Sequence, residues 1–131
     1  MMVIVEVSTI VWSMHRRLKK RSLKECLGGT AAYRTAKVRP GTRMELGALQ
    51  HDLLLASRQF IDARRFVPIE PSCLLDSLSL LRFLARRGLP ADIVLGVTAK
   101  PFAAHCWAQA GDLVLNETLS GAQAYAPIKV I

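Results

Sequence analysis

Cys73 follows Pro71-Ser72 at the expected start of an apolar helix, and His105-Cys106-Trp107 comes later on what reads as a strand. A thiol at a helix N-terminus meets unpaired N–H groups and the positive end of the macrodipole, a setting that favours sulfur as a nucleophile. An imidazole brought beside it by the fold would complete a Cys–His nucleophilic pair. A purely structural reading instead makes Cys73 a buried helix residue and His105 a satisfied core histidine.

Three features of the chain must position these two residues. Ser72 can N-cap a helix that begins at Cys73 and runs through Leu74, Leu78, Leu81 and Leu84 to Arg86-Arg87, where Gly88 suits the C′ position. The period then changes: Asp92–Thr98, Ala104–Gln109 and Leu113–Asn116 read as successive strands, with Pro127–Ile131 as a short edge strand. If the helix packs its apolar face on this sheet, its N-terminus can lie over the strand that carries His105. On that strand His105, Trp107 and Gln109 share one face, while Cys106 and Ala108 share the other, so Cys106 reads as a packed core thiol.

A third group must orient the imidazole, and the hairpin register nominates two. A loop of Ala110-Gly111-Asp112 pairs Gln109 with Leu113 and hence His105 with Glu117. A shorter loop of Ala110-Gly111 places Asn116 opposite His105 instead. Asp76, one turn into the helix, opposes a thiolate at Cys73 by its charge while suiting the helix N-terminus.

The N-terminal half reads as helices. Residues 3–12 suit either a short strand or the apolar start of a helix. A helix from Val11 to Leu27 would stop at Gly28-Gly29, and residues 28–43 would form a connecting loop. Across residues 44–65 the stripe Leu46, Leu49, Leu53, Ala56 and Phe60 marks another helix, with Leu54, Ser57 and Ile61 beside it and Arg58, Arg64 and Arg65 off it. Pro68 and Pro71 bracket an extended link. Helices followed by an antiparallel sheet make an α+β domain.

With 131 residues, 51% of them hydrophobic and 21% charged, the chain has the composition of one folded domain. Its net charge of +8 is concentrated early: residues 1–45 hold ten Lys/Arg against three Glu, and the remainder eight against seven. The run Arg16-Arg17-Leu18-Lys19-Lys20-Arg21 suits a solvated helix face or an acidic partner. With aromatics at 6% and no nucleic-acid-reading motif, stacking on single strands is disfavoured. Three cysteines (Cys26, Cys73, Cys106) cannot all pair within the chain, and Met1–Trp12 carries Glu6, lacks a basic leader and is shorter than a membrane span. Free thiols in the cytoplasm are expected. No zinc spacing occurs, and adjacent His105 and Cys106 point to opposite strand faces, so no metal or cofactor is expected.

The stretch from Cys73 onward resembles one family. The segments Cys73-Leu-Leu-Asp-Ser-Leu-Ser-Leu-Leu, Arg86-Arg87-Gly88-Leu-Pro, Leu95-Gly96-Val97, Pro101-Phe102-Ala-Ala-His105-Cys-Trp107, Val114-Leu115-Asn116-Glu117 and Tyr125-Ala-Pro-Ile-Lys-Val are similar to the transglutaminase-like leader peptidases of lasso-peptide biosynthesis. The resemblance implies a papain-like cysteine protease fold, with the nucleophile at a helix N-terminus packed on a small antiparallel sheet. It implies cleavage of the leader from a ribosomally made precursor, which frees the core peptide's amino terminus for macrolactam closure. Cys73 falls on the family's nucleophile and His105 on its general base. Glu117 falls where the family usually carries Asp, one methylene longer, with Asn116 as the alternative. Trp107, Gln109 and Asp76 are candidates for lining the substrate site. The family acts with a leader-binding domain, separate or fused, and with an ATP-dependent cyclase. Such a module needs more than about fifty residues, so residues 1–131 read as one protease domain: 1–43 a basic helical part and loop, 44–131 the catalytic core. That makes the chain a split protease or the protease part of a longer protein, with its basic helix a docking surface. Two rival readings are an acyl transferase with the same pair, and a non-catalytic basic module gripping an acidic partner or RNA.

Overall fold

A computed structural model of the protein describes residues 2–39, 46–99, 102–116 and 125–130. Four helices come first: α1 (Met2–Lys20), α2 (Leu23–Lys37), α3 (Leu46–Arg64) and α4 (Cys73–Arg86). Four strands follow: β1 (Asp92–Ala99), β2 (Phe102–Ala110), β3 (Leu113–Val114) and β4 (Ala126–Val130). The α+β expectation holds.

Tertiary burial decides the ambiguous opening run in favour of helix. Val7, Ile10, Val11 and Met14 recur at three- and four-residue steps and are all buried on the side of α1 that packs on α3 and α4. That burial outweighs the rotamer freedom β-branched residues lose in a helix. Glu6 ties α1 to the far end of α4, meeting Arg86 and Arg87 at 2.8 Å each. The hydrogen bond from Arg87 holds its carboxyl below the usual carboxylate range, against the opposing effect of burial.

The expected stop at Gly28-Gly29 does not occur. The chain breaks earlier, at Arg21-Ser22, where Ser22 and Glu25 form a capping box: the Glu25 N–H donates to Ser22 Oγ at 3.1 Å and the Ser22 N–H to Glu25 Oε1 at 3.2 Å. From there α2 runs through both glycines to Lys37, so most of the expected 28–43 loop is helical. Each glycine costs about 1 kcal/mol relative to alanine. Packing offsets that cost: Cys26, Leu27 and Thr30 are buried, and the Arg82 guanidinium of α4 lies over the Tyr33 ring at 4.8 Å. Burial lowers the pKa of Arg82. Arg34 fastens the other end of α2 to Asp92 at 2.8 Å.

At the centre lies α4, with Leu75, Leu78, Leu80, Leu81, Phe83 and Leu84 all buried. A helix apolar on nearly every side belongs in a core, and α4 packs on α1, α2, α3, β1 and β2. Gly88 ends it with φ +71°, as the sequence predicts for a C′ glycine.

The antiparallel sheet has the order β3-β2-β1-β4, with β4 at the edge as expected. The register between β1 and β2 is continuous from Asp92↔Gln109 to Ala99↔Phe102. One face carries Ile93, Leu95, Cys106 and Ala108 toward the helices. The other carries Val94, Trp107 and Tyr125 as a small separate cluster. A Cβ at Gly96 would come within 2.8 Å of Tyr125 Cβ and 3.1 Å of the Trp107 ring, so only glycine fits that point of β1. No helix of the described residues is long and apolar enough to cross a membrane.

Candidate active site

Cys73 is the first residue of α4, partly exposed and unpaired. Ser72 caps the helix in extended conformation (φ −144°, ψ 152°), its hydroxyl accepting the Leu75 N–H at 3.1 Å, as the sequence predicts. The Asp76 N–H closes on Ser72 O at 3.0 Å. Of the first-turn donors, those of Cys73 and Leu74 remain.

A residue that the sequence pattern placed off the apolar stripe fixes this turn. Arg64, buried at the end of α3, donates through Nε to Asp76 Oδ1 at 2.8 Å, through Nη1 to Val67 O at 3.2 Å and through Nη2 to Ile69 O at 2.9 Å. One guanidinium thus staples the α3–α4 link to the first turn of α4. Asp76, a candidate for substrate contact, is instead held in this structural ion pair, and Arg64 balances the charge that would oppose a thiolate at Cys73. An arginine three residues before Val67 and twelve before an acidic helix start was the available signal.

On the sheet side, Cys73 meets Cys106. The Cys106 thiol is buried on the α4 face of β2, in the core cluster against which Cys73 packs, with Ser77 one helical turn further along α4. Burial, then the neighbouring Cys73 thiol, pushes the Cys106 thiol up to about 12, with Ser77 acting the other way. Asn116 completes the cluster: its Nδ2 donates to Ser77 Oγ at 3.0 Å and its Oδ1 accepts the Ala108 N–H at 2.8 Å. Asn116 therefore serves the α4 face, and the expectation that it would orient His105 is corrected.

His105 lies on the opposite face of β2. Its ring is 5.3 Å from Tyr125 and 6.0 Å from Trp107, centroid to centroid. Trp107 is buried, and its Nε1 donates to Gln109 Oε1 at 2.8 Å, while Gln109 Nε2 donates to Gly111 O at 2.7 Å. Both candidate substrate contacts are thus occupied internally. The structure sets Cys73 on the same side of β2 as Cys106, Ser77 and Asn116, and holds His105 with Trp107 and Tyr125 on the other. α4 lies over β2, the strand that carries His105, as expected, and it does so on the Cys106 face, where the small apolar residues Cys106, Ala108 and Ala110 give the helix its seat.

The hairpin register also differs from both expectations. Ala110 pairs with Leu113 and Gln109 with Val114, so the turn is Gly111-Asp112, with Gly111 at φ +59°. Glu117 lies outside the described residues. Because β3 pairs only Gln109 and Ala110, no strand among the described residues lies against β2 on that side from 102 to 107.

Residues 1–130 match the family described as "Transglutaminase-like superfamily". The chain belongs to this superfamily. It is also similar to the microcin J25-processing protein McjB of Escherichia coli, at 40% identity over 45 residues. That match takes in 34% of this chain and 22% of McjB, so the chain spans about a fifth of the curated relative. No solved structure matches significantly. In this transglutaminase-like chain the part-exposed thiol at the start of α4 is the nucleophilic group the site offers. Away from it, an open groove of about 690 Å³ runs along the outer face of α1. Val5 and Trp12, 65% and 47% exposed, lie at one end, and Arg16, Arg17, Lys20 and Arg21 at the other.

Proposed function

We propose that this chain is a cysteine peptidase of lasso-peptide maturation, removing the leader from a ribosomally made precursor. The reading is carried by one observation: a part-exposed thiol at the first position of α4 in a transglutaminase-like chain that shares sequence with a microcin-processing protein. Cys73 as thiolate attacks the carbonyl at the leader–core junction. The N–H groups of Cys73 and Leu74, left over by the Ser72 cap, are the donors for the oxyanion. His105 gives a proton to the departing amine, which frees the core peptide's amino terminus. Water then takes the leader acyl group from sulfur. For this, His105 must turn over the open edge of β2, or the Cys73 end of α4 must move past it, with Glu117 as the orienting carboxylate. The precursor, a leader-binding recognition protein and an ATP-dependent cyclase are the partners in this reading. The groove on α1 suits the recognition protein, through a strip that sets apolar residues against Val5 and Trp12 and carboxylates against Arg16, Arg17, Lys20 and Arg21.

The test is incubation of the chain with a lasso precursor and its leader-binding partner, followed by mass analysis. Cleavage at the leader–core junction is expected, and its loss in Cys73→Ala with partner binding retained. Unchanged cleavage in that variant removes the proposal. The superfamily's name favours a second reading, transfer of the acyl group from Cys73 to an amine. In that case added amine appears covalently joined to the leader fragment, whereas hydrolysis leaves a free carboxylate whatever amine is present.

A further inference from the structure

Cys106 takes no part in the proposed reaction, yet its thiol is the group that Cys73 meets. The setting is built from several contacts. Alternation along β2 sends Cys106 and Ala108 toward α4, and Cys73 and Ser77, four residues apart on α4, face them. Asn116 locks this arrangement by joining Ser77 to the Ala108 backbone. Cys73 is partly exposed, whereas Cys106 is 4% exposed. Cys26 is buried elsewhere, on α2.

We propose that Cys73 and Cys106 form a reversible disulfide, a peroxide-driven switch that withdraws Cys73 from chemistry. Hydrogen peroxide oxidises the Cys73 thiolate to a sulfenic acid: the O–O bond breaks, one oxygen joins sulfur as S–OH, and the other leaves as hydroxide, which takes a proton from solvent to become water. The Cys106 sulfur then attacks the Cys73 sulfur; the S–O bond breaks, and the oxygen departs as water carrying the Cys106 proton. A small dithiol returns both residues to thiols and is itself oxidised to its disulfide. Exposure divides the roles, Cys73 meeting the oxidant and Cys106 resolving it from inside. Burial, first of all, keeps Cys106 protonated in the reduced protein. The bond stands independently of the peptidase reading, which concerns only what its formation switches off.

The experiment treats the full chain with stepwise hydrogen peroxide, alkylates it in denaturant, and maps peptides under non-reducing conditions. No substrate is needed, so failure here is distinguishable from failure of the peptidase reading. The expected result is loss of the mass of two hydrogen atoms, a linked Cys73–Cys106 peptide, free Cys26, and full reversal by dithiothreitol. In Cys106→Ala, Cys73 should instead gain two oxygen atoms as a sulfinic acid that dithiothreitol does not remove. Cys106→Ser is the second variant should alanine unfold the strand, and the wild-type map decides alone if both unfold. Cys73 reaching the sulfinic acid in the wild type with Cys106 still alkylatable overturns the proposal. So does a bond to Cys26 or between two chains, or a Cys106 variant whose Cys73 recovers as the wild type does.

Discussion

Toward α4, β2 presents Cys106, Ala108 and Ala110, all buried in the main core. Away from α4, the same strand presents His105, Trp107 and Gln109: the His105 ring lies against Trp107 and Tyr125, while Trp107 donates to Gln109 and Gln109 to the Gly111 carbonyl. The first face is a seat made of small side chains, and it fixes where Cys73 lies. The second is an aromatic cluster with a titratable ring, braced by polar contacts. The two residues of the proposed reaction thus lie on opposite faces of one strand, and in that proposal they meet at the edge where no strand among the described residues pairs with β2 from 102 to 107.

The sharpest way to break this contrast is His105→Ala. If the imidazole crosses the edge to act on the leaving amine, precursor cleavage falls about 10²–10⁴-fold while the thermal transition moves little. Unchanged cleavage would confine His105 to the aromatic cluster.

Much of this contrast could be read from residue types. The Pro71-Ser72 signal located the start of α4, and alternation sorted β2 into its two faces. Which face receives α4 was also legible in principle, since Cys106, Ala108 and Ala110 are small and apolar while His105, Trp107 and Gln109 carry polar atoms. Other features depend on distant partners. Gly28-Gly29 resembles a stop, but α2 continues because Cys26, Leu27 and Thr30 bury on both sides of the pair. The Ser22…Glu25 capping box was the missed local signal. Arg64 looks like a solvated charge until the carbonyls of Val67 and Ile69 and the carboxylate of Asp76 converge on it. The Gly111-Asp112 turn shifts the register by one residue, a choice that loop composition leaves open.

On the α4 side, Arg64→Leu removes the donors of two carbonyls and of Asp76. The cost is about 3 kcal/mol, the low end for a broken buried pair because Asp76 keeps some contact with water. Chemical denaturation measures it, and a loss no larger than that of Arg58→Leu would show that the staple is dispensable. On the far face, Gly96→Ala drives a methyl against Tyr125 and Trp107 and should cost about 1–3 kcal/mol. Near-neutral stability would mean that the aromatic cluster yields easily.

A pH-dependent effect returns to the first face. The Cys106 thiol ionises near 9.0 when unfolded and at about 12 when folded. Between these values the unfolded chain has released a proton that the folded chain still holds, so stability falls as pH rises across that window. Unfolding midpoints from pH 9 upward should therefore decline less in Cys106→Ala than in the wild type, and parallel declines would place Cys106 in a wetter site.

Capture of the acyl-enzyme is the decisive measurement of Cys73 as nucleophile. The chain is mixed with precursor and leader-binding partner, quenched in acid within a turnover, and mapped by mass spectrometry. The leader's acyl group is expected on Cys73 and on neither Cys26 nor Cys106. Cleaved core peptide accumulating in Cys73→Ala would contradict it.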